Sequence, residues 1–216
     1  MLTTRKPTGL APWPMLLLAG GEKTGKSYAC AAFSASDMIG RTLWIEIGEG
    51  SADPYGAIPG ARYEIVAHTG SYDSILDATR AAVAEPAAAD GKPNVIVVDS
   101  ATELWDLLCS EQQGIAMRRG KDTITMDQWN TAKRRWRAWG DALRAHRGPT
   151  LLTCRYEQVT VVKDGKPTTD KTWKIRAEKN LQFEVDGIIE LPRPREFFLS
   201  GMRSLKFPVP QAGTCQ

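Results

Sequence analysis

An eight-residue segment near the start of the chain combines glycines, a lysine and a hydroxyl side chain at the spacing of a phosphate-binding loop. It consists of Gly20, Gly21, Glu22, Lys23, Thr24, Gly25, Lys26 and Ser27, and Tyr28 follows it. Glycines let successive backbone N–H groups point at an anion, and the dipole of a following helix adds positive potential. Lys26 would then reach the β- and γ-phosphates, and the Ser27 hydroxyl would ligate Mg²⁺. The spacing predicts a bound nucleoside triphosphate with magnesium.

A second motif supplies a carboxylate for the same site. Four apolar residues, 95–98, are followed directly by Asp99. Such a run predicts a buried parallel strand whose carboxyl end lies at the edge of the sheet where the phosphate loop lies. Asp99 is therefore expected to hold the magnesium shell, through water.

Hydrolysis also requires a carboxylate that orients or deprotonates the attacking water. Glu46 lies in the strand predicted at 41–47, and Glu49 follows at its mouth. We favour Glu49, because alternation places Glu46 within the body of the strand. Glu46 and Glu103, just after Asp99, are the alternatives, and for both of them a surface or capping role is the commoner one.

Strands and helices alternate along the chain. Apolar runs predict strands at 14–19, 41–47, 62–66, 94–98, 150–154, 185–191 and 196–207, with helices at 26–36 and 74–84 and two helical faces at 101–115 and 129–143. The Lys163-Asp164-Gly165-Lys166 segment predicts the tip of a hairpin. The pattern predicts an α/β fold, a mainly parallel central sheet flanked by helices, with C-terminal β-hairpins. We expect residues 1–13 to form a flexible arm and 14–216 a single domain.

Composition restricts the class of protein. The 216 residues are 42% hydrophobic and 25% charged, which is typical of a globular chain. Four cysteines without C-x-x-C spacing and two histidines do not form a recognisable zinc site. No apolar stretch reaches the ~20 residues of a membrane helix, so we expect a cytoplasmic protein without a membrane partner.

Charge is distributed unevenly between the two halves of the chain. Residues 1–100 carry 8 basic and 11 acidic side chains, whereas residues 101–216 carry 20 and 14. This asymmetry favours a polyanionic partner for the second half, although a solvated basic face would have the same composition.

The motifs together resemble those of RecA-like P-loop ATPases. Glu22 in the phosphate loop, Glu49 followed by Asp53-Pro54, and the 95–100 segment are similar to the short RecA-core-only ATPases of phages, which are associated with single-strand annealing and recombination. The resemblance covers roughly residues 14–192. It implies a Mg-dependent ATPase in which Glu49 activates water, Asp53 contacts adenine and Tyr55 stacks on the base.

The same resemblance assigns roles to the second half of the chain. The strand end at 153–158 occupies the place of a γ-phosphate sensor, for which Arg155, Glu157 and Gln158 are candidates. Two basic segments match, in chain order, the mobile loops that hold single-stranded DNA; their candidate contacts are Arg118, Arg119, Lys121, Lys163, Lys166, Lys171 and Trp173. Basic loops of this kind neutralise phosphates and bind in a salt-dependent way.

Family members also assemble, which implies a homo-oligomer, a ring or a filament. Lys174, Arg176 or Lys179 would then act at a neighbouring subunit, and a phage-encoded protein would work in the bacterial host cytoplasm. Trp136 and Trp139 continue an apolar stripe, so we expect them in the core rather than on DNA.

Three functions remain open on the sequence. The first is ATP hydrolysis coupled to single-stranded DNA in recombination, repair or replication. The second is a nucleotide-dependent switch or assembly ATPase. The third is a small P-loop kinase, in which Arg134, Arg135 and Arg137 would form the lid.

Overall fold

The computed structural model describes residues 2–9, 12–48, 50, 52–163 and 165–204, and the backbone of 211–214. The strands are β1 (Met15–Gly20), β2 (Thr42–Glu46), β3 (Glu64–Ile65), β4 (Val95–Asp99), β5 (Thr150–Lys163), β6 (Lys166–Ile175), β7 (Gly187–Leu191), β8 (Glu196–Met202) and β9 (Gln211–Thr214). The helices are α1 (Lys26–Phe33), α2 (Tyr72–Ala84), α3 (Ala101–Arg118), α4 (Met126–Arg144) and α5 (Leu181–Glu184), with a short 3₁₀ helix at Asp53–Ala57. Residues 2–9 and 12–14 precede β1 without helix or strand.

The central sheet has the strand order β3-β2-β4-β5-β1-β7-β8-β9. Along this spatial order, every pairing from β3 to β7 is parallel, while β8 and β9 add antiparallel strands at one edge. The carboxyl ends of β1 and β4 and the end of the part of β5 that pairs with β1 therefore meet at one edge of the sheet. This is the edge at which ligands bind in open α/β sheets.

Alternating side chains of the central strands form a core on each face of the sheet. Ile96 and Val98 pack on one face with α2, α3 and α4, whereas Val95 and Val97 pack on the other face with α1. Parallel strands covered on both faces need such continuous apolar runs. Trp136 and Trp139 are 2% and 1% exposed, which confirms that they belong to the core.

Three strand predictions differ clearly from the structure in length. The strand expected at 62–66 is reduced to Glu64–Ile65. β5 was expected to end at residue 154, but it continues to Lys163, because residues 156–163 pair with β6 after leaving the central sheet. The predicted hairpin is present, with Lys163 paired to Lys166 and Asp164 outside the described residues. The strand expected at 196–207 ends at Met202, and residues 205–210 lie outside the description.

Within the described part of the chain, no helix has the length and apolar character of a membrane span.

Candidate nucleotide-binding site

The phosphate loop joins β1 to α1. Gly25 is the N-cap of α1 with φ of 101°, a left-handed conformation that strongly favours glycine. Cys30 and Ala31, both fully buried, fix α1 against the sheet. The loop therefore presents the positive end of an anchored helix at the carboxyl edge of β1.

The Lys26 side chain lies along this loop and is only 9% exposed. Its Nζ donates to the carbonyl oxygens of Gly20 at 3.1 Å and Gly21 at 2.6 Å. The Thr24 hydroxyl donates to the Gly21 carbonyl as well, at 3.1 Å. The loop thus holds the ammonium at its own centre, where an incoming phosphate would compete with the two carbonyls for it.

A cleft of about 290 Å³ opens beside the loop. It is lined by Glu22, Lys23, Gly25, Lys26, Ser27, Tyr55, Asp99, Ser100, Thr153 and Arg155. The structure therefore brings together most of the predicted nucleotide contacts from four separate segments of the chain. Tyr28 is 55% exposed and lies outside this lining set.

Asp99 ends β4 inside the cleft and is 6% exposed. The Thr153 hydroxyl donates a short hydrogen bond to its carboxylate. Ser27 and Asp99 line the same cleft, and both offer the hard oxygen donors that Mg²⁺ prefers. In the described residues there is no cluster of three or more His, Cys, Asp or Glu side chains fit to hold a metal. The Ser27 hydroxyl and the Asp99 carboxylate fit magnesium, which usually takes one or two carboxylates together with substrate phosphates.

The three carboxylates considered as the catalytic base have different surroundings. Glu49 lies outside the described residues. The carboxylate of Glu46 accepts the backbone N–H of Ala52 at 2.6 Å, so it holds the turn before the 3₁₀ helix. Glu103 packs against Gly48, where an added Cβ would lie 2.8 Å from its Cγ, and it therefore approaches the segment that carries Glu49.

The 3₁₀ helix separates the two residues expected at the base. Tyr55 lines the phosphate cleft, whereas Asp53 lies in a neighbouring depression with Arg62 and Tyr63. Burial, together with the charge of Asp53, raises the pKa of Tyr63. The structure thus brings Tyr55, but not Asp53, to the wall of the cleft.

Of the three sensor candidates, Arg155 alone belongs to the cleft lining. Its guanidinium lies 2.8 Å from the Glu103 carboxylate, with both side chains about a third exposed. Glu157 and Gln158 come later in β5, paired with Lys174 and Trp173 of β6. A cationic side chain is therefore present beside the phosphate loop, already paired with an acidic partner.

Two buried cysteines, Cys30 and Cys154, lie close to the charges of Asp99 and Lys26. Burial raises the pKa of Cys30, and the negative charge of Asp99 raises it further. Burial also raises the pKa of Cys154, while Lys26 lowers it to a smaller extent. Both thiols are buried, and a raised pKa disfavours the thiolate that a nucleophile requires.

The hairpin formed by β5 and β6 carries most of the candidate DNA contacts. Lys163 and Lys166 pair at its tip, while Lys171 and Trp173 lie along β6, and all four side chains are exposed. Trp173 is 62% exposed and its ring centroid lies 6.4 Å from that of Tyr156. The hairpin therefore presents an aromatic ring flanked by lysines.

The remaining basic candidates lie at two other places. Arg118, Arg119 and Lys121 are exposed where α3 ends. Lys174 and Lys179 are exposed near the root of the hairpin, where Arg176 pairs with Asp106 at 2.8 Å.

The arginines considered as a kinase lid lie on α4, which packs against α2 and α3. Arg135 lies over the Tyr72 ring at 4.0 Å and pairs with Glu111 and Asp73. Arg134 and Arg137 belong to the same helix, and none of the three lines the cleft. This placement does not favour the kinase interpretation.

Two cleft residues were missed by reasoning from the sequence. Ser100 accepts the Glu103 N–H at 3.2 Å as the N-cap of α3, and the Ser-x-x-Glu pattern of a capping box could have identified it. Thr153 lies in a buried strand with no local signal. Only the pairing of β5 beside β4 brings its hydroxyl to Asp99.

Comparison with known proteins gives one family match. The model of the AAA domain matches residues 13–195 of this chain. No curated protein matches the sequence.

A solved structure shows the same fold at low sequence identity. An ATPase from the type III secretion system of pathogenic bacteria is 13% identical, with a TM-score of 0.53, covering 83% of this chain and 52% of that chain. This chain thus spans about half the length of that ATPase. The RadB recombinase is 15% identical, with a TM-score of 0.49, covering 94% and 87% of the two chains. The predicted RecA-like P-loop fold, with its mainly parallel sheet flanked by helices and its terminal β7–β8 hairpin, is confirmed.

Proposed function

This chain belongs to the AAA domain family and is a RecA-like P-loop ATPase, and from that premise we propose that it couples Mg-dependent ATP hydrolysis to the binding of single-stranded DNA. The observation that carries the coupling is the course of β5. One strand runs from the cleft, where Arg155 lies, into an exposed basic hairpin. A change at the nucleotide and a change at the hairpin thus act on the same segment of backbone.

Within the cleft, each side chain has a proposed task. Lys26 neutralises the β- and γ-phosphates, and the oxygens of Ser27 and Asp99 hold Mg²⁺, which supplies further positive charge at the phosphates when it is bound. Arg155 contacts the γ-phosphate, and Tyr55 stacks on the base. Gly20, Gly21, Glu22, Lys23, Thr24 and Gly25 complete the contacts with the phosphates. The contacts proposed for Tyr28 and, at the adenine, for Asp53 lie beyond the cleft lining.

The attacking water needs a general base just beyond the C-terminal end of β2. We assign this task to Glu49, since the strand pairing of Glu46 with Asp99 brings the end of β2 beside the carboxylate of the site. Glu46 already accepts a backbone N–H, and Glu103 already pairs with Arg155. These contacts favour a role for Glu46 and Glu103 in holding neighbouring groups in place rather than in activating water.

The hairpin supports DNA binding through the chemistry of its exposed side chains. Gln158, Thr160, Lys171 and Trp173 are cross-strand neighbours on one face, because Gln158 pairs with Trp173 and Thr160 with Lys171. Lysines attract a phosphate backbone, and an exposed aromatic ring offers a stacking surface for any base. Arg118, Arg119 and Lys121 form a second proposed contact, and Lys163 and Lys166 extend the first.

The assembly and biological setting are part of the same proposal. We infer that residues 14–216 act as one ATPase domain after an arm at 1–13, and that copies of it associate into a ring or a filament. Lys174, Arg176 or Lys179 would then reach the nucleotide of a neighbour. The setting is recombination, repair or replication of phage type, in the host cytoplasm.

The steady-state ATPase rate, measured with and without a long single-stranded oligonucleotide, tests this function. Lys26→Ala serves as the blank, and duplex DNA of equal length is the control for simple charge. We expect several-fold stimulation by the single strand.

Turnover that is indifferent to DNA would contradict the coupling and would favour a switch or assembly ATPase. Activity equal to wild type in Lys26→Ala would contradict the assignment of the cleft itself.

A further inference from the structure

The β5–β6 hairpin is connected to the rest of the fold only at its root among the described strands. β5 pairs with β1 up to Arg155, which lies opposite Gly20 of the phosphate loop. From Tyr156 onward, its strand partner is β6, which pairs with no other described strand. The contacts at this root therefore offer the nearest route from the nucleotide to the hairpin, and they include the Tyr156 hydroxyl, which donates to Glu190 of β7 at 2.5 Å.

Thr102 lies at the centre of those contacts and is fully buried. Its hydroxyl donates to the carbonyl of Arg176 at 2.6 Å and accepts the backbone N–H of Arg155 at 2.9 Å. One side chain thus satisfies a main-chain group of β5 and one of the residue directly after β6. A buried main-chain group without a partner is costly, so this hydroxyl holds both strands in place.

Two ion pairs attach Arg155 and Arg176 to α3, the helix that contains Thr102. Glu103 of α3 pairs with Arg155 at 2.8 Å, and Asp106 of α3 pairs with Arg176 at 2.8 Å. The helix begins directly after Asp99 and its N-cap Ser100, which both line the cleft. The first two turns of α3 therefore connect the cleft to both strands of the hairpin.

We propose that Thr102 is a positioning residue that transmits the state of the nucleotide cleft to the β5–β6 hairpin. A triphosphate that enters the cleft competes with Glu103 for the Arg155 guanidinium. The Arg176 N–H donates directly to the Arg155 carbonyl at 2.8 Å, so these two main chains move together, and Thr102 holds both of them to the start of α3 beside the cleft. A shift at the cleft therefore passes through Thr102 to β5 and β6 together. The inference rests on the proposed nucleotide site but not on DNA binding.

Hydrogen exchange of the hairpin amides tests this transmission. The full chain is compared alone and with Mg²⁺ and a non-hydrolysable ATP analogue, and analogue binding is measured separately by equilibrium dialysis. Thr102→Val keeps the shape and removes the hydroxyl, while Thr102→Ser keeps the hydroxyl. Thr79→Val is the matched control, because Thr79 is also fully buried and its hydroxyl donates to Ile75 within α2.

We expect the analogue to change exchange of the 166–175 amides by about fivefold or more in the wild type, in Thr102→Ser and in Thr79→Val, a size within reach of local opening equilibria. In Thr102→Val we expect the analogue to bind while exchange no longer responds to it. Loss of the response in Thr79→Val as well would show a general effect of lost stability, and it would overturn the proposal.

If Thr102→Val does not fold, the wild type alone can still overturn the proposal. Bound analogue without any change in hairpin exchange would overturn the role of Thr102 and leave the nucleotide site intact. Absence of analogue binding in the dialysis would instead refute the proposed function on which the inference rests.

Discussion

The phosphate cleft and the β5–β6 hairpin are built from opposite kinds of structure, although β5 contributes to both. At the cleft, Lys26 and Asp99 are buried; Lys26 donates hydrogen bonds to carbonyls of its own loop, and Asp99 accepts one from the Thr153 hydroxyl. Along the hairpin, Trp173 and the lysines are exposed, and the strands pair with each other. Phosphoryl transfer depends on groups fixed in advance, whereas binding a flexible polyanion depends on accessible charge and stacking surfaces.

The difference indicates where mutations should separate chemistry from binding. Changes at the cleft should abolish or slow turnover, while changes on the hairpin should leave the fold intact and alter the response to nucleic acid. Each of the following experiments is a way to contradict or refine that separation.

Lys26→Ala should have the largest effect and reduce turnover to background, because the β- and γ-phosphates lose their main protein cation. The ATPase rate and the affinity for a labelled ATP analogue are the measurements. Lys92→Ala, which removes an exposed lysine paired with Asp90, is the control and should resemble wild type. Equal losses in the two variants would show that the effect is not specific to the loop.

Glu49→Gln should keep nucleotide affinity while slowing hydrolysis by ~10²–10⁴, the usual contribution of a positioned general base. Single-turnover hydrolysis separates this chemical step from binding. Glu46→Gln and Glu103→Gln are measured beside it. If Glu49→Gln is as active as wild type and one of the others is slow, that residue is the base.

Stability should distinguish the two regions directly. Leu17 in β1 is fully buried, so Leu17→Ala should lower the free energy of unfolding by ~2–5 kcal/mol. Trp173→Ala, on the exposed face of the hairpin, should change it by less than about 0.5 kcal/mol. Urea unfolding of both variants checks this, and a large loss in Trp173→Ala would mean that the hairpin is part of the stabilising core.

The smallest expected effect concerns the salt dependence of DNA binding. Changing Lys163 and Lys166 together to Ala should lower the slope of log affinity against log salt by up to ~1.4, since each phosphate contact on a single strand contributes ~0.7. Fluorescence anisotropy with a labelled oligonucleotide measures the slope. Changing Arg118 and Arg119 together tests the second proposed contact, and an unchanged slope in either pair removes that pair from the interface.

How far sequence reasoning reached differs between the two regions. The phosphate loop is a local motif in which residue spacing defines the geometry, so its position and its helix could be predicted. The tip of the hairpin was also predictable, because Asp-Gly favours a tight turn. The length of β5 was not predictable, since its second half is a strand only by virtue of its pairing with β6.

Contacts between distant segments were the least accessible. Nothing near Thr153 or Thr102 in the sequence indicates that one binds Asp99 and the other joins Arg155 to Arg176. The sequence also did not indicate that Tyr55 and Asp53 of the 3₁₀ helix line two different depressions, although both were expected to contact the adenine base.

The sequence by itself determined the phosphate loop, the acidic strand end and the alternation of strands and helices, because those features depend on local spacing and on apolar periodicity. The tertiary structure decided which side chains meet. β4, β5 and β1 lie side by side in the sheet but far apart along the chain, so only their pairing brings Asp99, Thr153 and Arg155 to the phosphate loop. That pairing depends on burial of both faces of the sheet, which is a property of the whole chain rather than of any one segment.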